Sequence, residues 1–151
     1  MDKEFDIFLK NRKLILKIVS EISLDRLNQI PQGHRNTIAW NVTHLLVTQQ
    51  LLCYVMSGLD SKLPKSLIED FRKGTQSEFA LTKVQWDEIK SWFITYAEQT
   101  VKDYQAKVFQ SYNSYTTSLD VSLNSVEDAI KFNNLHEGIH LGTILSQRKL
   151  V

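Results

Sequence analysis

Apolar residues recur at intervals of three and four along most of the chain, which is the period of an amphipathic α-helix. This pattern predicts a first helix from Lys3 to about Val19 and a short helical piece over 23–29, ending before Pro31. The five glycines and two prolines fall between long periodic segments, not at the short regular intervals of an all-β protein. The fold class is therefore predicted to be all-α.

The second helix is predicted to begin at Asn36 as its N-cap and to stop at Gly58, and it is apolar over much of its circumference. Residues 58–81 form a long connection with a predicted helical turn at 66–72. A connection of this length either turns back locally or crosses the length of a bundle, so the sequence leaves the topology open.

Two more long helices follow. Thr82 and Gln85 have the spacing of a capping box ahead of a third helix that reaches about Tyr104. Ser125 and Asp128 open a fourth in the same manner, after a polar segment over 111–124 with room for a short extended stretch. Four long helices predict a four-helix bundle that forms a single domain over residues 1–151.

Charge and cysteine content exclude several classes of protein. Eighteen basic and seventeen acidic residues give a net charge of +1 and are mixed along the chain, so we expect no nucleic-acid partner. Lys10, Arg12, Lys13 and Lys17 alternate with apolar positions and are interpreted as the solvent-facing side of the first helix. Cys53 stands alone in an apolar stretch, which predicts a buried, inert thiol and excludes an internal disulfide.

Targeting and membrane signals are not evident. The chain has neither a secretory pattern at its start nor a run of about 18 apolar residues. We therefore expect a cytoplasmic protein without a membrane partner.

The histidines carry the candidate chemistry. His136 and His140 are four residues apart, so their side chains lie about 40° apart on one helix face and can point at one atom. His44 lies on a mostly core-facing stripe of the second helix. The same two faces carry residues that could wall the site or orient its ligands: Trp40, Asn41, Thr48, Phe132, Asn133 and Thr143.

Unpaired imidazoles are costly to bury, and a shared metal ion would satisfy all three at once. Counted from Asn36 and Ser125, His44, His136 and His140 lie about 12, 17 and 22 Å along their helices, within one to two turns if the helices run parallel. His34 lies about 15 Å from His44 and is expected to be an exposed loop residue. The alternative is that the three histidines are hydrogen-bonded core or surface residues without a metal.

Three segments carry a resemblance to a known family: residues 36–44, residues 63–75, and residues 136–144 followed by Arg148. In order and spacing they resemble the DinB/YfiT superfamily of metal-dependent helical bundles, over nearly the whole chain. The resemblance implies that His44, His136 and His140 hold a divalent ion at the bundle core. Imidazole ligands suit zinc, which we expect first, and nickel second.

The resemblance also implies a reaction class. Members with assigned activities include transferases and isomerases that use low-molecular-weight thiols such as bacillithiol or mycothiol. We therefore expect a metal-dependent enzyme acting on a small-molecule substrate, either a thiol-dependent S-transferase or a hydrolase. Glu137 is the nearest acidic candidate for a catalytic proton acceptor, although a solvated helix residue is an equally good interpretation.

Two other interpretations remain. Residues 136–140 also match the His-Glu-x-x-His signature of zinc peptidases, but only eleven residues follow and none is a suitable third ligand. The second alternative is a non-catalytic metal-binding or dimerising bundle, with a homodimer formed through aromatic side chains of the first or third helix.

Overall fold

The structure, a computed structural model, describes residues 1–151 and is dominated by helices, which confirms the all-α prediction. Four of the helices are long and form the bundle. The helices are α1 (Asp2–Ser20), α2 (Leu24–Leu27), α3 (Ile38–Cys53), α4 (Lys65–Phe71), α5 (Lys83–Gln105) and α6 (Val126–Gln147), with a 3₁₀ turn over Val55–Ser57. A small antiparallel hairpin, β1 (Tyr115–Thr116) and β2 (Ser122–Leu123), lies between α5 and α6.

The contacts between helix ends define the topology. Tyr54, at the end of α3, donates a hydrogen bond of 2.6 Å to Asp103, near the end of α5, so these two helices are parallel. The long connection between them therefore crosses the length of the bundle. Gln147, the last residue of α6, donates to the backbone oxygen of Asn36 just before α3, so α3 and α6 are antiparallel. The parallel arrangement assumed for the depth estimate is wrong, yet the histidines still meet because each lies a similar distance from the shared end.

α1 lies between α6 and α5 on the side of the bundle away from α3. It is parallel to α6, since Asn134 donates to the backbone oxygen of Glu4 and, further along both helices, Arg12 donates to Glu137. It is antiparallel to α5, because the ring of Phe5 near its start contacts that of Tyr104 near the end of α5, with centroids 5.2 Å apart. α1 and α6 thus point one way, and α3 and α5 the other.

α3 is the most enclosed helix of the bundle, as its apolar circumference predicts. Only Thr48 and Leu51 among its residues are not buried. Although α3 is strongly apolar, neither it nor any other helix is long and apolar enough to cross a membrane. Cys53 at its end is 1% exposed, which confirms the buried thiol, and burial raises the pKa of this thiol to about 12.

Helix starts follow the local sequence with one exception. The capping box of Thr82 and Gln85 forms as predicted. Ser125 caps α6 by accepting from the backbone N–H of Asp128. α3, however, is capped by Thr37 and not by Asn36, whose side-chain oxygen instead accepts from the backbone N–H of Ser77. A long-range partner outcompetes the local cap here.

Arg12 is a correction to the sequence analysis, because it lies at the centre of the bundle with no exposed surface. Its Nε donates to Glu137 of α6 at 2.6 Å, and its two terminal nitrogens donate to the backbone oxygens of Phe93 in α5 and Leu45 in α3, each at 3.2 Å. The guanidinium also lies over the Phe93 ring, 3.9 Å from its centroid. One side chain of α1 therefore contacts all three other long helices.

The position of Arg12 within α1 explains its burial. It follows Phe8 by four residues and precedes Ile15 by three, so it continues the apolar stripe of the helix. The neighbouring lysines at 10, 13 and 17 are exposed, as predicted. Because the four basic residues were interpreted together as one solvated face, the core position of Arg12 was not predicted.

Candidate metal centre

Three imidazoles meet between α3 and α6. One ring nitrogen from each of His44, His136 and His140 lies within 4.8 Å of the other two, a group that could hold a metal ion. Ring centroids are 5.2 Å apart for His44 and His136, 5.0 Å for His44 and His140, and 4.5 Å for His136 and His140. His34 is not part of this group and is only partly exposed in its turn.

His44 is held from three sides. Its Nδ1 donates to the backbone oxygen of Phe71 at 2.7 Å, and because a carbonyl only accepts, the free lone pair lies on Nε2. The Thr48 hydroxyl lies 3.3 Å from that Nε2. The Trp40 ring stacks on the imidazole with centroids 4.6 Å apart. The end of α4, inside the long connection, thereby fixes the tautomer of a residue on α3.

His140 is oriented by a chain of amides. Its Nδ1 donates to Oδ1 of Asn41 at 2.7 Å. The amide nitrogen of Asn41 is committed to the backbone oxygen of Thr37 and the side-chain oxygen of Gln147, which leaves only its oxygen for the histidine. Gln147 in turn donates to the backbone oxygen of Asn36. Outer partners of this kind orient metal-ligating imidazoles in proteins.

His136 is the least constrained of the three. Its Nδ1 is buried without a hydrogen-bond partner, so Nε2 is the nitrogen that reaches the cavity. The ring packs nearly parallel to that of Phe132, one turn earlier on α6, with centroids 6.4 Å apart. All three Nε2 atoms thus face the same space, and the donor set fits a divalent ion.

Burial keeps the imidazoles neutral. It lowers the pKa of His44, against the opposing effect of the Phe71 carbonyl. It lowers the pKa of His136 to about 3, with further lowering from the other two histidines and Arg12, and the pKa of His140 to about 4. At neutral pH all three therefore offer lone pairs without first losing a proton.

The histidines form the floor of a cavity of about 430 Å³, a volume in the range of small-molecule sites. The walls are mostly apolar and the hairpin forms the roof. The wall and roof residues besides the histidines are Thr48, Leu51, Leu52, Met56, Lys73, Tyr115, Thr117, Ser118, Leu119, Phe132 and Ile139. No carboxylate is among them, and Lys73 is the one ammonium group.

The structure separates the predicted site residues into two groups. Trp40, Asn41, Thr48 and Phe132 each contact one of the three histidines. Two others do not. The amide of Asn133 donates to Glu137, and the hydroxyl of Thr143 donates to the backbone oxygen of Ile139, outside the cavity lining.

Glu137 lies outside the cavity. Its carboxylate is 0% exposed, and Oε1 accepts from both Arg12 and Asn133. Burial raises the pKa of this carboxyl, and the Arg12 guanidinium opposes the rise. The 100° turn between His136 and Glu137 points the carboxylate towards α1 and α5. This placement contradicts both a catalytic proton acceptor and the glutamate role of the peptidase signature.

Several contributors to the site could not be identified from periodicity. Phe71 acts through a backbone oxygen, which no side-chain pattern reveals. Lys73 and the hairpin residues reach the cavity by long-range folding of irregular segments. Gln147 had a detectable signal, since it lies one helical turn beyond Thr143 on the inward side of α6.

The fold and the three histidines together define a four-helix bundle whose interior has a site that fits a divalent metal ion. A model of the DinB superfamily matches residues 7–144, and the chain belongs to that superfamily. A comparison with curated proteins gives no match. The resemblance seen in the sequence is thus confirmed at the level of the family.

Replacing Asn41 tests the orientation of His140. We expect Asn41→Ala to weaken zinc binding about 10- to 100-fold, the usual cost of losing an outer partner of a ligating imidazole. Competition with a chromophoric chelator measures the affinity. Asn41→Ala removes three side-chain hydrogen bonds, to Thr37, Gln147 and His140. Asn28→Ala is the control, because it removes two side-chain hydrogen bonds, both to Leu81, at a residue with no hydrogen bond to a histidine. Equal zinc affinity in the Asn41→Ala variant and the wild type would contradict the role given to Asn41.

Proposed function

We propose that this protein is a divalent-metal-dependent enzyme that transfers a small thiol to an electrophilic small molecule. One observation carries the proposal: three neutral imidazoles open onto a mostly apolar cavity whose lining contains no carboxylate. His44, His136 and His140 would hold the ion, with zinc the first expectation and nickel the second. We place the protein in the cytoplasm, where small thiols are kept reduced.

A divalent ion held by these three neutral imidazoles would lower the pKa of a thiol or water that reaches it. The chain's own residues supply orientation and exclusion of water. Thr48 lies beside Nε2 of His44 and is placed to hydrogen-bond a group bound there. The apolar walls and the hairpin limit the access of bulk water.

The lack of a proton acceptor favours a thiol over water as the nucleophile. After a metal-bound water has lost one proton to solvent, hydrolysis must still move its second proton to the leaving group, and Glu137, the acidic residue next to His136 that could relay it, is paired with Arg12. A thiol has a free pKa of about 8.5 and loses its only proton to solvent when that pKa is lowered. The transfer then forms a carbon–sulfur bond, and the leaving group departs with the electron pair of the bond that breaks.

Cobalt substitution tests the thiol directly. We expect added ω-mercaptohexanol to produce a near-ultraviolet thiolate-to-cobalt charge-transfer band in the Co²⁺-loaded protein. At pH 7 only about 3% of a free thiol of pKa 8.5 is ionised, so complete ionisation raises the thiolate population about thirtyfold. Conjugation of the thiol to chlorodinitrobenzene should therefore rise by up to about that factor over the metal-free protein.

Cys53→Ala is the matched control, because Cys53 is buried outside the cavity and should contribute nothing to the band. Absence of the band in the loaded protein would contradict thiol binding. A non-catalytic role makes a different prediction: chelation would collapse helicity and melting temperature, and conjugation would not depend on the metal. For the proposed enzyme, chelation should return conjugation to the slower rate of the metal-free protein and leave most of the helicity intact.

A further inference from the structure

The charges around the cavity do not balance. A divalent ion on neutral imidazoles would keep its full charge, and Lys73 adds another positive charge to the same lining. No acidic side chain lines the cavity. The Glu137 carboxylate, behind His136, is fully buried and paired with Arg12. A ligand that fills this space therefore meets positive charge without a protein counter-charge.

Lys73 is an exposed residue that lines the same cavity as the histidines, and the backbone on either side of it is fixed. Two residues earlier, the Phe71 carbonyl accepts from His44. Two residues later, Thr75 closes a turn by donating its backbone N–H and its hydroxyl to the backbone oxygen of Arg72. Gly74 adopts a φ of +92° in this turn, a conformation that other residues rarely adopt.

The ammonium group of Lys73 is free to bind a ligand. It takes part in none of the ion pairs or side-chain hydrogen bonds of the structure, whereas Lys62, Lys83 and Lys90 each pair with an aspartate. Apart from Lys73 and the histidines, the cavity wall is mostly apolar, with Leu51, Met56 and Phe132 among its residues. The lining thus combines one cation and three imidazoles with a largely apolar wall.

From this arrangement we infer that the cavity selects a thiol with a carboxylate on a short apolar chain, and that Lys73 binds the carboxylate. Lys73 is then the specificity-determining residue for the thiol substrate. Binding of the sulfur end of the ligand rests on the proposed function. Binding of the carboxylate end rests on the cavity lining alone.

A matched pair of thiols tests the carboxylate. In the Co²⁺-loaded protein, the charge-transfer band is titrated with ω-mercaptohexanoate and with ω-mercaptohexanol, which differ at the far end only. We expect the carboxylate to bind up to about fivefold tighter at low ionic strength, as for an ion pair with an exposed lysine, and the preference to shrink as salt is added. Lys73→Gln should bring the ratio close to one.

Arg72→Gln is the matched control, because Arg72 is an adjacent exposed cation that does not line the cavity; it should keep the wild-type preference. Equal affinities in the wild type, or a preference that survives Lys73→Gln, would overturn the inference while leaving thiol binding intact.

A second measurement does not depend on the thiol. Heptanoate and heptanamide are titrated into the metal-free protein and followed by NMR. Tighter binding of heptanoate to the wild type than to Lys73→Gln supports the anion site even if no charge-transfer band is ever seen. Equal binding of heptanoate to both overturns it.

Discussion

Glu137→Gln should cost about 3–5 kcal/mol of unfolding free energy, the range for breaking a buried ion pair by removing one partner. The substitution keeps the shape of the side chain and leaves the Arg12 guanidinium, with no exposed surface, without its counter-charge. Because typical domains have only about 5–15 kcal/mol of stability, a loss of this size moves the urea midpoint far down. Urea unfolding followed by circular dichroism measures it.

Two comparisons separate the pair from other effects of the substitution. Asp6→Asn also changes a carboxylate to an amide, but its partner Lys10 is exposed, so the urea midpoint should barely move. The double variant Arg12→Met with Glu137→Leu removes both charges and should recover most of the loss, because neither charge is left buried alone. A double variant less stable than Glu137→Gln would show that the hydrogen bonds of Arg12 to Phe93 and Leu45 outweigh its charge.

Loss of any one of the three histidines should remove stoichiometric metal from the protein. His44→Ala, His136→Ala and His140→Ala each leave two nitrogen donors in a site that otherwise contributes three. The loss of affinity should exceed the hundredfold that an outer partner costs, because a direct bond to the ion disappears. Elemental analysis of protein purified without a histidine tag gives the metal content.

His34→Ala is the internal control for this series, since His34 is outside the histidine group and its removal should leave the metal content unchanged. Circular dichroism of each variant establishes that the bundle is folded. Full retention of metal in both His44→Ala and His136→Ala would sink the site. Retention in His136→Ala alone would assign the ion to His44 and His140, the two histidines with oriented Nδ1 atoms.

The histidine group was predictable because periodicity places His44, His136 and His140 on inward stripes of helices that the sequence marks clearly. A two-residue error in a helix boundary does not change which face of the helix a residue occupies. The predicted grouping of the three histidines was therefore correct even though α3 and α6 were assumed to be parallel. The cap of α3 shows where this robustness ends. Asn36 is a good local cap, but Ser77, 41 residues away, binds its side chain.

The sequence-based interpretations of Arg12 and Glu137 were wrong for a different reason. A pattern of charged residues on one helix predicts that each of them is solvated, because most charged residues in proteins are. A buried ion pair can be predicted only when both of its partners are known. Each residue alone has an ordinary explanation on its own helix. Their pairing joins positions 125 residues apart, which one sequence without an alignment does not reveal.

The cavity is built from parts of very different rigidity. Its floor rests on α3 and α6, which are long, packed on several sides and tied together through Asn41 and Gln147. Its roof is a hairpin with only two residues in each strand, whose loop is closed by the Thr117 hydroxyl accepting from the backbone N–H groups of Leu119 and Val121. Segments with so little local bonding open at far lower free energy than the helices beneath them. We therefore expect a ligand to reach the histidines by brief displacement of the hairpin, while α3 and α6 stay folded and the three imidazoles keep their positions.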